Sequence, residues 1–141
     1  MKELIVEAKR ENLLEVQSFI DEQLEEVGCP MTTQIAIDVA VEELFVNIAS
    51  YAYGKGEGIA VVQVTVHEDP LSVEITFIDS GRQYDPLAKE DPDVTLSAKE
   101  RKKGGLGIFM VKNTMDNVSY EYKDGKNILT IKKNLNRTII E

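Results

Sequence analysis

The stretch Glu42-Glu43-Leu44-Phe45-Val46-Asn47 sets a carboxylate, Glu43, four residues before a carboxamide, Asn47. On a helix that spacing puts the two on one face, a turn apart. An amide oxygen can ligate Mg²⁺, and a carboxylate can orient a nucleophile or take its proton. Ala36 and Ala40 continue the same face with small side chains. The spacing alone also describes a polar stripe on an amphipathic helix.

Two further groups have the right types for chemistry. Asp79 follows the run Val73-Glu74-Ile75-Thr76-Phe77-Ile78 and precedes Ser80-Gly81. A lone acid at a strand end can accept a hydrogen bond from an exocyclic amine such as that of adenine. Gly81 lets the chain turn sharply against a flat ring, and a plain Asp-Ser-Gly turn has the same signature. Lys103-Gly104-Gly105-Leu106-Gly107 then leads into a helical run from Ile108. Glycines there leave the first helical N–H groups open to an anion, and the helix dipole adds to the attraction. Arg101, Lys102 and Lys103 make this a cationic patch in an acidic chain. The pattern is neither a Walker A loop nor a dinucleotide fingerprint.

The elements that must hold these groups follow from periodicity. Residues 3–8 read as a strand. Leu13, Val16, Ile20, Leu24 and Val27 form one helical face that Gly28 ends. Thr32 or Thr33 caps a second helix over about 34–53, apolar on most of its circumference and therefore buried. Strands at 59–67 and 71–78 flank a Glu68-Asp69-Pro70 turn, and His67 is a strand residue. From 79 to 103 no periodicity appears, and a polar stretch of that kind is expected to be a lid, over about 85–103. A short helix through Ile108, Val111 and Met115 follows. Strands around 118–122 and 128–133 are joined by Asp124-Gly125. This order predicts an α+β fold: a two-layer sandwich with helices on one face of a mixed, mostly antiparallel sheet.

Composition narrows the function. The 141 residues suit one domain over 1–141, and a net charge of −9 argues against direct nucleic-acid binding. Cys29, the single cysteine, allows no internal disulfide and reads as a structural thiol. No apolar run has the length of a membrane span and no leader is evident, so a cytoplasmic protein without membrane contact is expected.

Taken together and in order, the three groups resemble the Bergerat (GHKL) ATP-binding fold shared by histidine kinases and DNA gyrase. Glu43 to Asn47 looks like its N box, Asp79-x-Gly81 its first glycine box, and Gly105-x-Gly107 its second. The blocks Glu42-Glu43…Asn47…Ala52-Tyr53, Asp79 to Leu87 and Gly104 to Val111 resemble those of the anti-sigma factor serine/threonine kinases. One departure is Gln83, where the family often has a second glycine.

The resemblance implies ATP and Mg²⁺ as cofactors, with Asn47 as metal ligand and Glu43 as general base toward a serine hydroxyl. It implies Asp79 as reader of the adenine amine and Gly81 as the point of close approach to the base. Gly104, Gly105, Leu106 and Gly107 would meet the phosphates, and one of Arg101, Lys102 and Lys103 the γ-phosphate. It further implies a STAS-domain anti-anti-sigma protein as substrate, a sigma factor as second partner, and a homodimer. A non-catalytic ATP-dependent binding module and a GHKL ATPase are the rival readings. No phosphoacceptor-histidine helix precedes the motifs, which points to a separate protein substrate.

Overall fold

The structure is a computed structural model and describes residues 1–88 and 105–135. Its elements are β1 (Lys2–Glu7), α1 (Leu13–Glu26), α2 (Met31–Tyr51), β2 (Ile59–His67), β3 (Ser72–Asp79), α3 (Gly105–Thr114), β4 (Asn117–Lys123) and β5 (Lys126–Asn134). The five strands form one sheet in the order β1-β2-β3-β5-β4.

Every pairing among these strands is antiparallel, so the expected mixed sheet is not seen among the described residues. Topology explains it. Strands β3 and β4 run in the same direction, but β5 turns back at a hairpin and lies between them. Asp124 and Gly125 both have positive φ, 54° and 75°, as a two-residue hairpin turn requires.

The sheet alternates buried and less buried positions. Ala60, Val62 and Val64 of β2, Val73, Ile75 and Phe77 of β3, and Leu129 and Ile131 of β5 face the helices. Against them pack Val16, Ile20 and Leu24 of α1, Ile37, Val41, Leu44 and Phe45 of α2, and Ile108 and Val111 of α3. This is the expected two-layer arrangement. Helix α2 is not buried all round, however: Ile35 is 54% and Val39 40% exposed.

The helix ends have local causes. Gly28 adopts φ 74° and ends α1, with its N–H bonded to Glu25 O and the Cys29 N–H to Leu24 O. Those two bonds make a Schellman motif. Helix α2 starts earlier than the threonines suggest. The Pro30 carbonyl already accepts the Gln34 N–H, at 2.9 Å, so Thr32 and Thr33 fall inside the first turn and neither caps it.

Asp21 of α1 and Asp38 of α2 meet between the two helices. Their Oδ1 atoms are buried, and neither has a hydrogen-bond partner among the described residues. Burial, then the Asp21 carboxyl, then Glu25 raise the Asp38 pKa to about 7. Burial first and then the same two aspartates also push the Cys29 thiol up. A carboxyl whose pKa is raised by folding favours the fold while protonated, and that contribution is lost as pH rises through about 7. Urea unfolding at about pH 5.5 and about pH 8.5 should therefore show a larger alkaline loss of stability for the wild type than for Asp38→Asn. Equal losses would place the pH dependence elsewhere.

Candidate active site

The C-terminal half of α2 forms one wall of a cleft. Asn47, Ile48, Tyr51 and Ala52 contribute from the helix, Phe77 and Asp79 from β3, and Tyr120, Asn127 and Leu129 from β4 and β5. Arg82, Tyr84 and Pro86 close it from the segment after β3. Apolar walls with a few convergent polar groups are what a small-molecule site requires.

Asp79 is the buried acid of this cleft, 7% exposed. Its Oδ1 accepts the Gly81 N–H and an Asn127 Nδ2 hydrogen, both at 2.9 Å. The second hydrogen on Asn127 Nδ2 goes to Arg82 O at 2.9 Å. Its Oδ1 accepts the Tyr84 N–H at 3.1 Å and the Tyr120 hydroxyl. One carboxylate oxygen of Asp79 is thus tied by the protein, and no donor among the described residues bonds the other. That leaves an acceptor for a ligand's amine.

Gly81 is also required by packing within the protein. A methyl group built there would overlap the backbone of Ala52, at the end of α2. The Arg82 N–H bonds that same Ala52 carbonyl at 2.9 Å. Tyr53 completes the corner: its hydroxyl donates to Ile59 O at 2.6 Å and accepts the Ser80 N–H at 2.9 Å. Burial raises the Tyr53 pKa, opposed by that N–H and reinforced by Asp79, so the donor proton is retained. Gly58 leaves room for the Tyr53 ring, which a methyl there would strike.

Glu43 stands one turn before Asn47 on α2 but lines a different space. It faces a groove between α2 and α3. A methyl on Gly107 would overlap the Glu43 carboxylate. Neither Glu43 nor Asn47 has a side-chain hydrogen bond or ion pair among the described residues. Helix α3 begins at Gly105, earlier than the run from Ile108 suggests, so Gly105, Leu106 and Gly107 open the helix and do not precede it. Glycine at 107 lets the first turn of α3 pack directly against Glu43 of α2. Arg101, Lys102, Lys103 and Gly104 lie outside the described residues, as does most of the expected lid. Its first residues are ordered by contact: Pro86–Ala88 form a short 3-10 turn, with Pro86 buried.

The structure brings Asn47 and Asp79 to one cleft and Glu43 to Gly107, whereas sequence reasoning set Glu43 beside Asn47. That reasoning missed Asn127, Tyr120, Tyr84 and Arg82. Asn127 had a signal. It shares strand parity with Leu129 and Ile131, so a polar side chain was due on the core-facing side, and the register sets it opposite Asp79.

Residues 6–133 match the family described as the histidine kinase-like ATPase domain. The chain belongs to that family. Among curated proteins, this ATPase-domain chain is similar to the serine/threonine-protein kinase BtrW of Bordetella bronchiseptica. They are 28% identical over 98 residues, covering 70% of this chain and 68% of that protein. It is also similar to the serine-protein kinase RsbW of Listeria monocytogenes, 29% identical over 101 residues, covering 68% of this chain and 63% of RsbW. The chain thus spans a little under two thirds of that relative's length. Among solved structures, part of a Mycobacterium tuberculosis chain that holds RsbU and RsbW domains shares the fold, with TM-score 0.63 and 16% identity. The match covers 96% of this chain and 33% of that one. The SiaB-SiaC complex from Pseudomonas aeruginosa contains a chain of like fold, with TM-score 0.58 and 18% identity, covering 92% of this chain and 88% of that one.

Asn127→Ala should weaken ATP binding by roughly 1–3 kcal/mol, because a buried acceptor on Asp79 and two backbone groups lose their partner. Titration calorimetry checks it. Wild-type affinity in a folded Asn127→Ala protein would show that Asp79 holds its position without the amide.

Proposed function

We propose that this ATPase-domain chain is an ATP-dependent serine/threonine kinase, and that the site described above performs the transfer. Asn47 and Asp79 share one cleft while Glu43, a turn away, faces the neighbouring groove beside Gly107. That single arrangement supports the reading, and relatives named as serine kinases agree with it.

ATP fits the cleft. Ile48, Phe77 and Leu129 give the apolar walls that a purine ring needs, and the untied Asp79 oxygen accepts the adenine amine. Mg²⁺ fits the donor set. A cation held between Asn47 and the phosphates of a bound nucleotide would take few protein ligands. That suits Mg²⁺, which binds through one or two protein oxygens and the substrate's phosphates. Asn47 would supply the protein oxygen. When bound, the ion neutralises phosphate charge and orients the phosphates.

In the transfer, Glu43 accepts the proton of a serine or threonine hydroxyl as its oxygen bonds to the γ-phosphorus. The bond from that phosphorus to the β–γ bridging oxygen breaks, and ADP leaves. The N–H groups of the first turn of α3 are oriented by the helix toward its N-terminal end, where anionic charge is favoured. Gly104, Gly105, Leu106 and Gly107, with one of Arg101, Lys102 and Lys103, are assigned to the phosphates, and 85–103 to a lid over them. Gly81 remains assigned to the base-proximal turn.

The substrate is a STAS-domain anti-anti-sigma protein, and a sigma factor is the second partner, bound by a homodimer of this chain. The chain acts as one domain over 1–141 in the cytoplasm. Among the described residues no helix is long and apolar enough to cross a membrane.

Glu43→Gln preserves shape but removes the base, so ATP should bind normally while phosphoryl transfer falls about 10²–10⁴-fold. Asn47→Ala should instead weaken Mg-ATP binding itself, since a ground-state contact is lost. Calorimetry and transfer of labelled phosphate to a STAS protein separate the two. Transfer at the wild-type rate by Glu43→Gln would remove Glu43 from the chemistry.

A further inference from the structure

We propose that Asn127 sets the cleft's choice between a purine with an amino group at position 6 and one with an oxo group there. The inference rests on nucleotide binding in the cleft and adds which side chain makes that binding selective. Asp79 makes the contact with the base. Asn127 is a positioning residue that acts through it.

Asn127 is 6% exposed and stands opposite Asp79 in the β3–β5 pairing. The two ends of a carboxamide have nearly the same shape, so the neighbours decide which end donates. Here they leave one arrangement. The Tyr84 N–H can only donate, and it meets Oδ1 at 3.1 Å. The Arg82 carbonyl can only accept, and it meets Nδ2 at 2.9 Å. Turning the amide over would set N–H against N–H and oxygen against oxygen. The Tyr120 hydroxyl gives Oδ1 its second donor, and burial raises the Tyr120 pKa, so that proton is kept. The other Nδ2 hydrogen is therefore aimed at Asp79 Oδ1, at 2.9 Å. With both hydrogens and both lone pairs used inside the protein, Asn127 has nothing left for a ligand.

Asp79 Oδ1 thus meets only donors, from Asn127 and from the Gly81 N–H. An ionised carboxylate accepts and cannot donate. Its direction is fixed by the tied oxygen, and no donor among the described residues bonds the other. An amino group at position 6 of a purine donates to that second oxygen, whereas an oxo group sets a lone pair against it. A site built to hydrogen-bond one group rejects an analogue that cannot make the bond. The same amide holds Arg82 and Tyr84, which wall the cleft, so the acid and the wall are fixed relative to each other.

The test is calorimetric titration with ATP and with inosine triphosphate (ITP), which carries the oxo group. The wild type should prefer ATP. Asn127→Asp keeps the size of the side chain and replaces the donor facing Asp79 by an oxygen. It should lower the ratio of ATP to ITP affinity about 10-fold or more, as loss of a hydrogen bond to a charged group implies. Asp79→Asn should invert the preference. The Gly81 and Asn127 donors hold its amide oxygen, so its NH₂ replaces the untied oxygen and meets the oxo group. Tyr120→Phe removes one of the two donors that orient Asn127 and should lower the ratio about 3-fold. It decides the matter if circular dichroism shows Asn127→Asp to be unfolded. Equal weakening of both nucleotides in the folded variants, with the ratio preserved, makes Asn127 a packing residue and overturns the proposal. A wild type that prefers ATP, with the preference surviving in Asp79→Asn, also overturns it, because another group then reads the base. A wild type that binds neither nucleotide removes the nucleotide reading and the proposal together.

Discussion

A buried carboxylate must be hydrogen-bonded or it destabilises the fold. Asp79 is such a group, and the architecture around the cleft is arranged to satisfy it. Its Oδ1 holds the Gly81 N–H and the Asn127 amide. Gly81 in turn lies against Ala52, and the next N–H bonds the Ala52 carbonyl. Tyr53 then links Ser80 to Ile59 through one hydroxyl. The end of α2, the start of β2 and the end of β3 therefore meet at one acid. Satisfying only one of its oxygens keeps Asp79 in place and leaves the other for a ligand.

Helix α2 answers two demands that a simple amphipathic pattern does not combine. Ile37, Val41, Leu44 and Phe45 are buried against the sheet. Glu43 and Asn47 sit at the edge of that face, where neither is fully exposed nor lost to the core. Between them the helix turns once, enough for Asn47 to reach the cleft while Glu43 looks toward α3. Glycine at 107 sets how near α3 comes, since any side chain there would collide with the carboxylate. The position of the Glu43 carboxylate is thus set by a contact that contains no hydrogen bond.

What the sequence disclosed depended on how local the cause was. The order of strands and helices, the Gly28 helix end and the Asp124-Gly125 turn follow from near neighbours, and each was legible. The family was legible from Glu43, Asn47 and Asp79 as a combination of motifs. The start of α2 was misread because two threonines look like caps, yet Pro30 already provides the first helical acceptor. Ile35 and Val39 were assigned to the core on hydrophobicity alone, although nothing in a helical wheel says which apolar face finds a partner. Asn127 and Tyr120 were missed for a different reason. Asn127 meets Asp79 from 48 residues away, and Tyr120 then bonds Asn127 across the hairpin; strand parity marks Asn127 as core-facing, but no local pattern names its partner. The purely antiparallel sheet was hidden likewise, because it depends on where β5 inserts.

That insertion joins the two halves of the site. From one end, β5 presents Asn127 to Asp79. From the other, it pins the end of α3: Lys133 Nζ donates to Thr114 O at 2.8 Å, and the Asp116 N–H donates to Lys132 O at 2.9 Å. Asp116 Oδ2 accepts the Asn134 N–H in return. Helix α3 is thereby anchored at its C-terminal end, while Ile108 and Val111 seat it on the core and Gly107 brings it against Glu43. Asp79 and the helix that confines the Glu43 carboxylate are both positioned by one strand. A shift of β5 by two residues would keep its hydrophobic side inward. It would nevertheless move Asn127 away from Asp79 and displace α3 from Glu43 together. Hydrophobic burial therefore selects the face of β5, and the polar contacts at its two ends select its register.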